Sequence, residues 1–96
     1  MIKNKYETVF VLSTKKLDDE AIAATTEKFK SLIEANEGTV EAVDVWGKRR
    51  LAYPINYETE GHYVLITFEA PADLPLELSR VYNITDGVLR SIVIRK

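Results

Sequence analysis

Three consecutive cations, Lys48-Arg49-Arg50, stand between an indole at Trp46 and a phenol at Tyr53. Guanidinium forks and ammonium groups suit phosphate oxygens and flat rings suit stacking, so this run has the make-up of a polyanion contact. Further cations stand at Lys3, Lys5, Lys15, Lys16, Arg90, Arg95 and Lys96. The solvation of termini and turns is explanation enough for the lysines among these. Three cations in a row beside two rings ask for more. Catalysis has little to work with. Without cysteine there is no thiolate nucleophile, disulfide or sulfur-ligated metal, and the single histidine, His62, cannot form a pair of imidazole ligands. No catalytic residue, metal site, cofactor or small-molecule substrate is expected.

The net charge of −2 conceals a segregation. Residues 1–16 carry +3, 17–46 carry −6, 47–57 carry +3, 58–77 carry −5 and 78–96 carry +3. A polyanion can therefore meet local basic surface while the rest of the molecule repels it. At 46% hydrophobic and 29% charged, the 96 residues have the composition of one globular domain, expected to span 1–96. No apolar run is long enough to span a bilayer, and no leader pattern opens the chain, which reads as cytoplasmic and unprocessed.

The elements that must position these groups follow from periodicity. Residues 5–13 are rich in β-branched and aromatic types and predict a strand, apolar on both parities as a central strand is. Asp18-Asp19-Glu20 place negative charge in a helix's first turn, and Ile22, Thr26, Phe29, Leu32 and Ile33 continue at helical spacing. Asn36-Glu37-Gly38 predicts the stop, with Gly38 as the left-handed residue. A second strand starts near Thr39, is interrupted by a bulge at Gly47 and continues to Ala52; Tyr53-Pro54 must leave the ladder. Residues 55–61 read as a polar connection and 62–70 as a third strand, with His62, Val64, Ile66 and Phe68 on one side and Tyr63, Leu65, Thr67 and Glu69 on the other. Asp73 before Leu74-Pro75 opens a second helix with a stripe of Leu74, Leu78, Val81 and Tyr82. Asn83 to Gly87 form a turn, and 88–94 the last strand.

The order βαββαβ predicts an α+β, ferredoxin-like fold: a four-stranded antiparallel sheet, order 4-1-3-2, with both helices on one face. Strands one and four then bring Lys3 and Lys5 beside Arg95 and Lys96, with Arg90 further along, while Lys48-Arg49-Arg50 lie toward the hairpin end with Lys15 and Lys16. The other face is bare and carries Tyr63 and Leu65. Stand-alone RNA-recognition domains stack bases on such a face, but Glu60 stands where their basic residue would precede the glycine. An apolar bare face also suits a covering protein, or the self-association of a small-ligand regulatory domain. The acylphosphatases share the topology, yet residues 13–20 here hold no glycine and end in acids that repel phosphate.

The stretches Lys5-Tyr6-Glu7-Thr8-Val9-Phe10, Trp46-Gly47-Lys48-Arg49-Arg50-Leu51-Ala52-Tyr53-Pro54-Ile55, Glu60-Gly61-His62-Tyr63 and Val88-Leu89-Arg90 resemble the bacterial small-subunit ribosomal protein S-six family, in order and at family-like spacing across the chain. The resemblance implies a ferredoxin-like structural protein, not an enzyme. It would bind the central domain of small-subunit ribosomal RNA as a heterodimer with ribosomal protein S-eighteen. It implies RNA contacts around Tyr6 and at Arg90, and fold and partner contacts in the 47–55 segment. With the cation convergence and the bare face read above, RNA contacts are expected at Lys3, Lys5, Tyr6, Arg90, Arg95 and Lys96, and partner or RNA contacts at Trp46, Lys48, Arg49, Arg50 and Tyr63. Many members carry a C-terminal tail beyond the position where this sequence ends at Lys96.

Overall fold

Alternating burial along the two inner strands decides which side of the sheet the helices cover. The computed structural model describes residues 3–55 and 58–96. Its elements run β1 (Lys3–Leu12), α1 (Asp19–Ala35), β2 (Thr39–Ile55), β3 (Glu58–Pro71), α2 (Leu74–Ile84) and β4 (Val88–Arg95). The sheet is antiparallel in the order β2-β3-β1-β4, as the connectivity predicts. Tyr6, Thr8, Phe10 and Leu12 of β1 and Val64, Ile66, Phe68 and Ala70 of β3 are buried together with Ile22, Phe29 and Ile33 of α1 and the whole predicted stripe of α2. The core centres on three rings. Phe29 meets Phe10 edge-on at 5.0 Å and Tyr82 at 4.7 Å, geometry that suits ring quadrupoles.

One polar chain crosses this core. The Thr8 hydroxyl donates to the Ile92 carbonyl at 2.9 Å and therefore accepts from the Tyr82 hydroxyl, also at 2.9 Å. Burial pushes the Tyr82 phenol up to about 12, with the Thr8 hydrogen bond pulling slightly the other way.

The helix ends follow their residues. The Asp18 carboxylate accepts from the Ala21 N–H at 2.8 Å and caps α1. At the other end the left-handed residue is Glu37 (φ 66°), not Gly38 as predicted. Gly38 N–H instead reaches back to the Ile33 carbonyl at 2.8 Å, in a Schellman closure. Glycine is needed there because a Cβ would strike Ile33.

The larger departure from expectation is in the hairpin. Strand β3 starts at Glu58, four residues before the predicted His62, and β2 and β3 pair through Lys48↔His62, Arg49↔Gly61, Arg50↔Glu60 and Ile55↔Glu58. β1 ends at Leu12, opposite His62, so beyond that point β2 and β3 pair only with each other, in a ribbon where Thr59 and Glu60 are exposed while Glu58 and Gly61 are buried. The predicted bulge at Gly47 is present, with φ 81° and a register shift between Val45 and Gly47. The predicted end of β2 at Ala52 is passed: the strand runs on through Tyr53 and Pro54 to Ile55, with a register irregularity between Arg50 and Ile55. The rest of the predicted 55–61 connection includes residues 56–57, which lie outside the described residues. The ribbon contributes to a molecule 43 Å long and 25 Å by 23 Å across.

Candidate nucleic-acid and partner interface

Pairing of β1 with β4 brings the chain's first and last described residues together. Arg95 lies opposite Tyr6, and the Lys96 N–H donates to the Lys5 carbonyl at 2.9 Å. Lys3, Lys5, Arg95 and Lys96 thus share one end of the sheet. Lys5 and Lys96 already face carboxylates, Glu41 and Glu7, each at 3.7 Å. Exposed pairs of this kind contribute between about 0 and 1 kcal/mol, so a phosphate can replace either acid. Tyr6 is different from its neighbours, with its ring buried against Phe68 at 5.6 Å. Its hydroxyl accepts from Asn4 Nδ2 at 3.4 Å, and Asn4 Oδ1 accepts from Arg95 Nη2 at 3.0 Å. Tyr6 therefore reaches the surface only through Asn4, by helping to hold Arg95.

Arg90 is not part of that cluster. It lies opposite Val11, five residues along the strand from Arg95, a separation of about 17 Å. It lines a shallow groove of about 230 Å³ with Val9, Val11, Trp46, Tyr63 and Ile92. The groove lies on the sheet face away from the helices. Trp46 comes onto this face beside the Gly47 bulge and stacks on Tyr63, with ring centroids 6.1 Å apart and planes within 16°; its indole N–H donates to Asp44 Oδ2 at 3.1 Å. Around this pair the face is apolar. Ile92 and Ile94 are about half exposed, while Val11 is buried. The parity of β4, which alternation alone left open, decides that these two isoleucines face outward.

On the ribbon, Lys48 is held by Glu60 at 3.0 Å. Arg49 and Arg50 are exposed and make no ion pair among the described residues. Lys15 lines the same cleft as Lys48, at the hairpin end as predicted, whereas Lys16 turns to Asp86 at 3.1 Å. Arg80 is likewise committed. It grips Glu77 through two hydrogen bonds, of 2.6 and 3.1 Å, which hold the Glu77 carboxyl below its usual range and raise the guanidinium. On the strands, the cations open to a new anion are thus Arg49, Arg50, Arg90 and the cluster at the β1–β4 end; Lys28 and Lys30 of α1 also make no ion pair among the described residues. No grouping of acids and histidine that could hold a metal ion occurs among the described residues, and no helix there is long and apolar enough to cross a membrane.

Sequence reasoning missed Ile92 and Ile94, because both parities of β4 are apolar. It also missed a buried contact between Ser13 and Glu58, since Glu58 falls in a span whose polarity suggested a loop.

Comparison with known proteins agrees with this architecture. Residues 5–95 match the family described as Ribosomal protein S6. The small ribosomal subunit protein bS6 of Clostridium novyi (strain NT) is 56% identical over 89 residues, covering 93% of each chain. That of Clostridium perfringens (strain SM101 / Type A) is 53% identical over 92 residues, 96% of each. The crystal structure of 30S ribosomal protein S6 from Thermotoga maritima superposes with a TM-score of 0.92 at 27% identity, covering 99% of this chain and 89% of that one. The chain belongs to the ribosomal protein S6 family, structural proteins of the small subunit of the cytoplasmic ribosome.

Proposed function

We propose that the protein acts as a single domain that binds the central domain of small-subunit ribosomal RNA together with ribosomal protein S-eighteen, without catalysis. The observation that carries this reading is the division of labour on the surface. An apolar sheet face holding Trp46, Tyr63, Ile92 and Ile94 is bordered by Arg90, while cations open to phosphate stand at two other places, the ribbon and the β1–β4 end. Apolar sheet surface suits a covering protein. The cations Lys3, Lys5, Arg90, Arg95 and Lys96 suit phosphates, with Tyr6 supporting Arg95 from beneath. Trp46, Lys48, Arg49, Arg50 and Tyr63 serve the partner, the RNA or both. A chain of net charge −2 is poorly equipped to hold RNA alone, and a basic partner supplies the missing charge.

The test is binding to a central-domain fragment of the ribosomal RNA, with and without S-eighteen, across a salt series. Tight binding only with both proteins is the expected result. Tight binding by this protein alone would favour a second reading, supported by the stacked Trp46–Tyr63 pair, in which that platform takes single-stranded bases unaided. Absence of binding in both cases would overturn the proposal.

A further inference from the structure

Ser13 and Glu58 form a polar contact that none of the surfaces above uses. Ser13 is fully buried and Glu58 is 4% exposed, the one buried acid among the described residues. The Ser13 hydroxyl donates to Glu58 Oε1 at 2.6 Å and accepts from the Lys16 N–H at 3.1 Å. The Ser13 N–H donates to the Gly87 carbonyl at 2.7 Å, and its carbonyl accepts from the Leu17 N–H at 3.2 Å. Every polar group of this serine is engaged. It joins the end of β1, the turn before β4, the approach to α1 and, through Glu58, the ribbon.

A carboxylate withdrawn from water is unfavourable unless it is well bonded, so this contact fixes geometry where it sits. It sits beyond the last residue of β1, where the ribbon no longer has a neighbouring strand. The Lys48–Glu60 pair ties the ribbon only to itself. Arg50 lies opposite Glu60 and Arg49 opposite Gly61, within three residues of Glu58. We propose that the Ser13–Glu58 hydrogen bond sets the direction in which the ribbon carries Arg49 and Arg50, which makes Glu58 a positioning residue for contact with RNA phosphates. This rests on the function proposed above.

The experiment measures affinity for the central-domain RNA fragment, with S-eighteen present, across a salt series. Glu58→Met keeps the side chain's bulk without an acceptor. Ser13→Ala removes the same bond from the other side, so failure of one variant to fold leaves the other. Amide exchange at Val64 and Phe68 reports whether the core is intact. Glu58→Met should weaken binding about tenfold, the scale of one charged hydrogen bond, and flatten the salt dependence as Arg49→Ala/Arg50→Ala does. Adding Glu58→Met to the double-alanine variant should cost nothing more, because both act through the same phosphates. Glu58→Gln, which still offers the serine an oxygen, should restore affinity to within about twofold of the parent. Additive effects, parental affinity in a folded Glu58→Met protein, or no rescue by glutamine would each overturn the proposal. Parental affinity in Arg49→Ala/Arg50→Ala would instead overturn the assignment of the ribbon to RNA.

Discussion

Arg90 and Tyr82 show how differently single residues reveal themselves. Arg90 is exposed at the rim of the apolar groove and supports no core contact, so Arg90→Ala should weaken RNA binding by about 1 kcal/mol at moderate salt while leaving the melting temperature unchanged. Filter binding beside a thermal melt checks both halves of that expectation. Tyr82 was legible as a helix-stripe residue, but its hydroxyl's partner was not, because Thr8 is 74 residues away and reached only through the fold. Its phenol holds its proton to about 12, against about 10 in the unfolded chain. The neutral form is therefore favoured by folding. That contribution is fully present below pH 10 and disappears as pH rises through 12, amounting to roughly 2–3 kcal/mol. Urea unfolding of the parent and of Tyr82→Phe should show a steeper alkaline decline in the parent over this window, and parallel declines would refute it.

The elements were legible to unequal degrees. The two helices carry their signals in sequence: Asp18 before α1, Asp73-Leu74-Pro75 before α2, and apolar stripes at helical spacing that are buried as expected. The Asp73 carboxylate, however, makes no capping bond. The β2–β3 hairpin was half legible. Gly47 announced its bulge, but alternation of apolar and polar residues marks a strand only where one face is covered, and residues 58–60 have no third strand beside them. At this scale the expectation concerns the ribbon's charges. Replacing Lys48, Arg49 and Arg50 together with alanine should flatten the dependence of log affinity on log salt by about 0.7–0.9 for each phosphate that these cations neutralise. Circular dichroism should stay unchanged, since the three side chains are exposed. An unaltered slope would return them to the role of a solvated face.

For the molecule as a whole, connectivity was enough to predict the strand order, and through it the meeting of Lys3 and Lys5 with Arg95 and Lys96. What connectivity could not supply was which side chains of β4 face the helices, and hence that Ile92 and Ile94 join Trp46 and Tyr63 outside. The same strand order has a consequence for the order of events at birth. Strand β1 emerges first from the machine that makes the chain, yet its neighbour β4 emerges last. Through nearly all of synthesis, the edge of β1 from Tyr6 to Leu12 waits without its hydrogen-bonding partner, an exposed template for any extended peptide nearby. Closing the sheet joins residues at opposite ends of the chain, the slowest kind of pairing to make. A component of the ribosome thus completes its own sheet only once the last of its strands has left one.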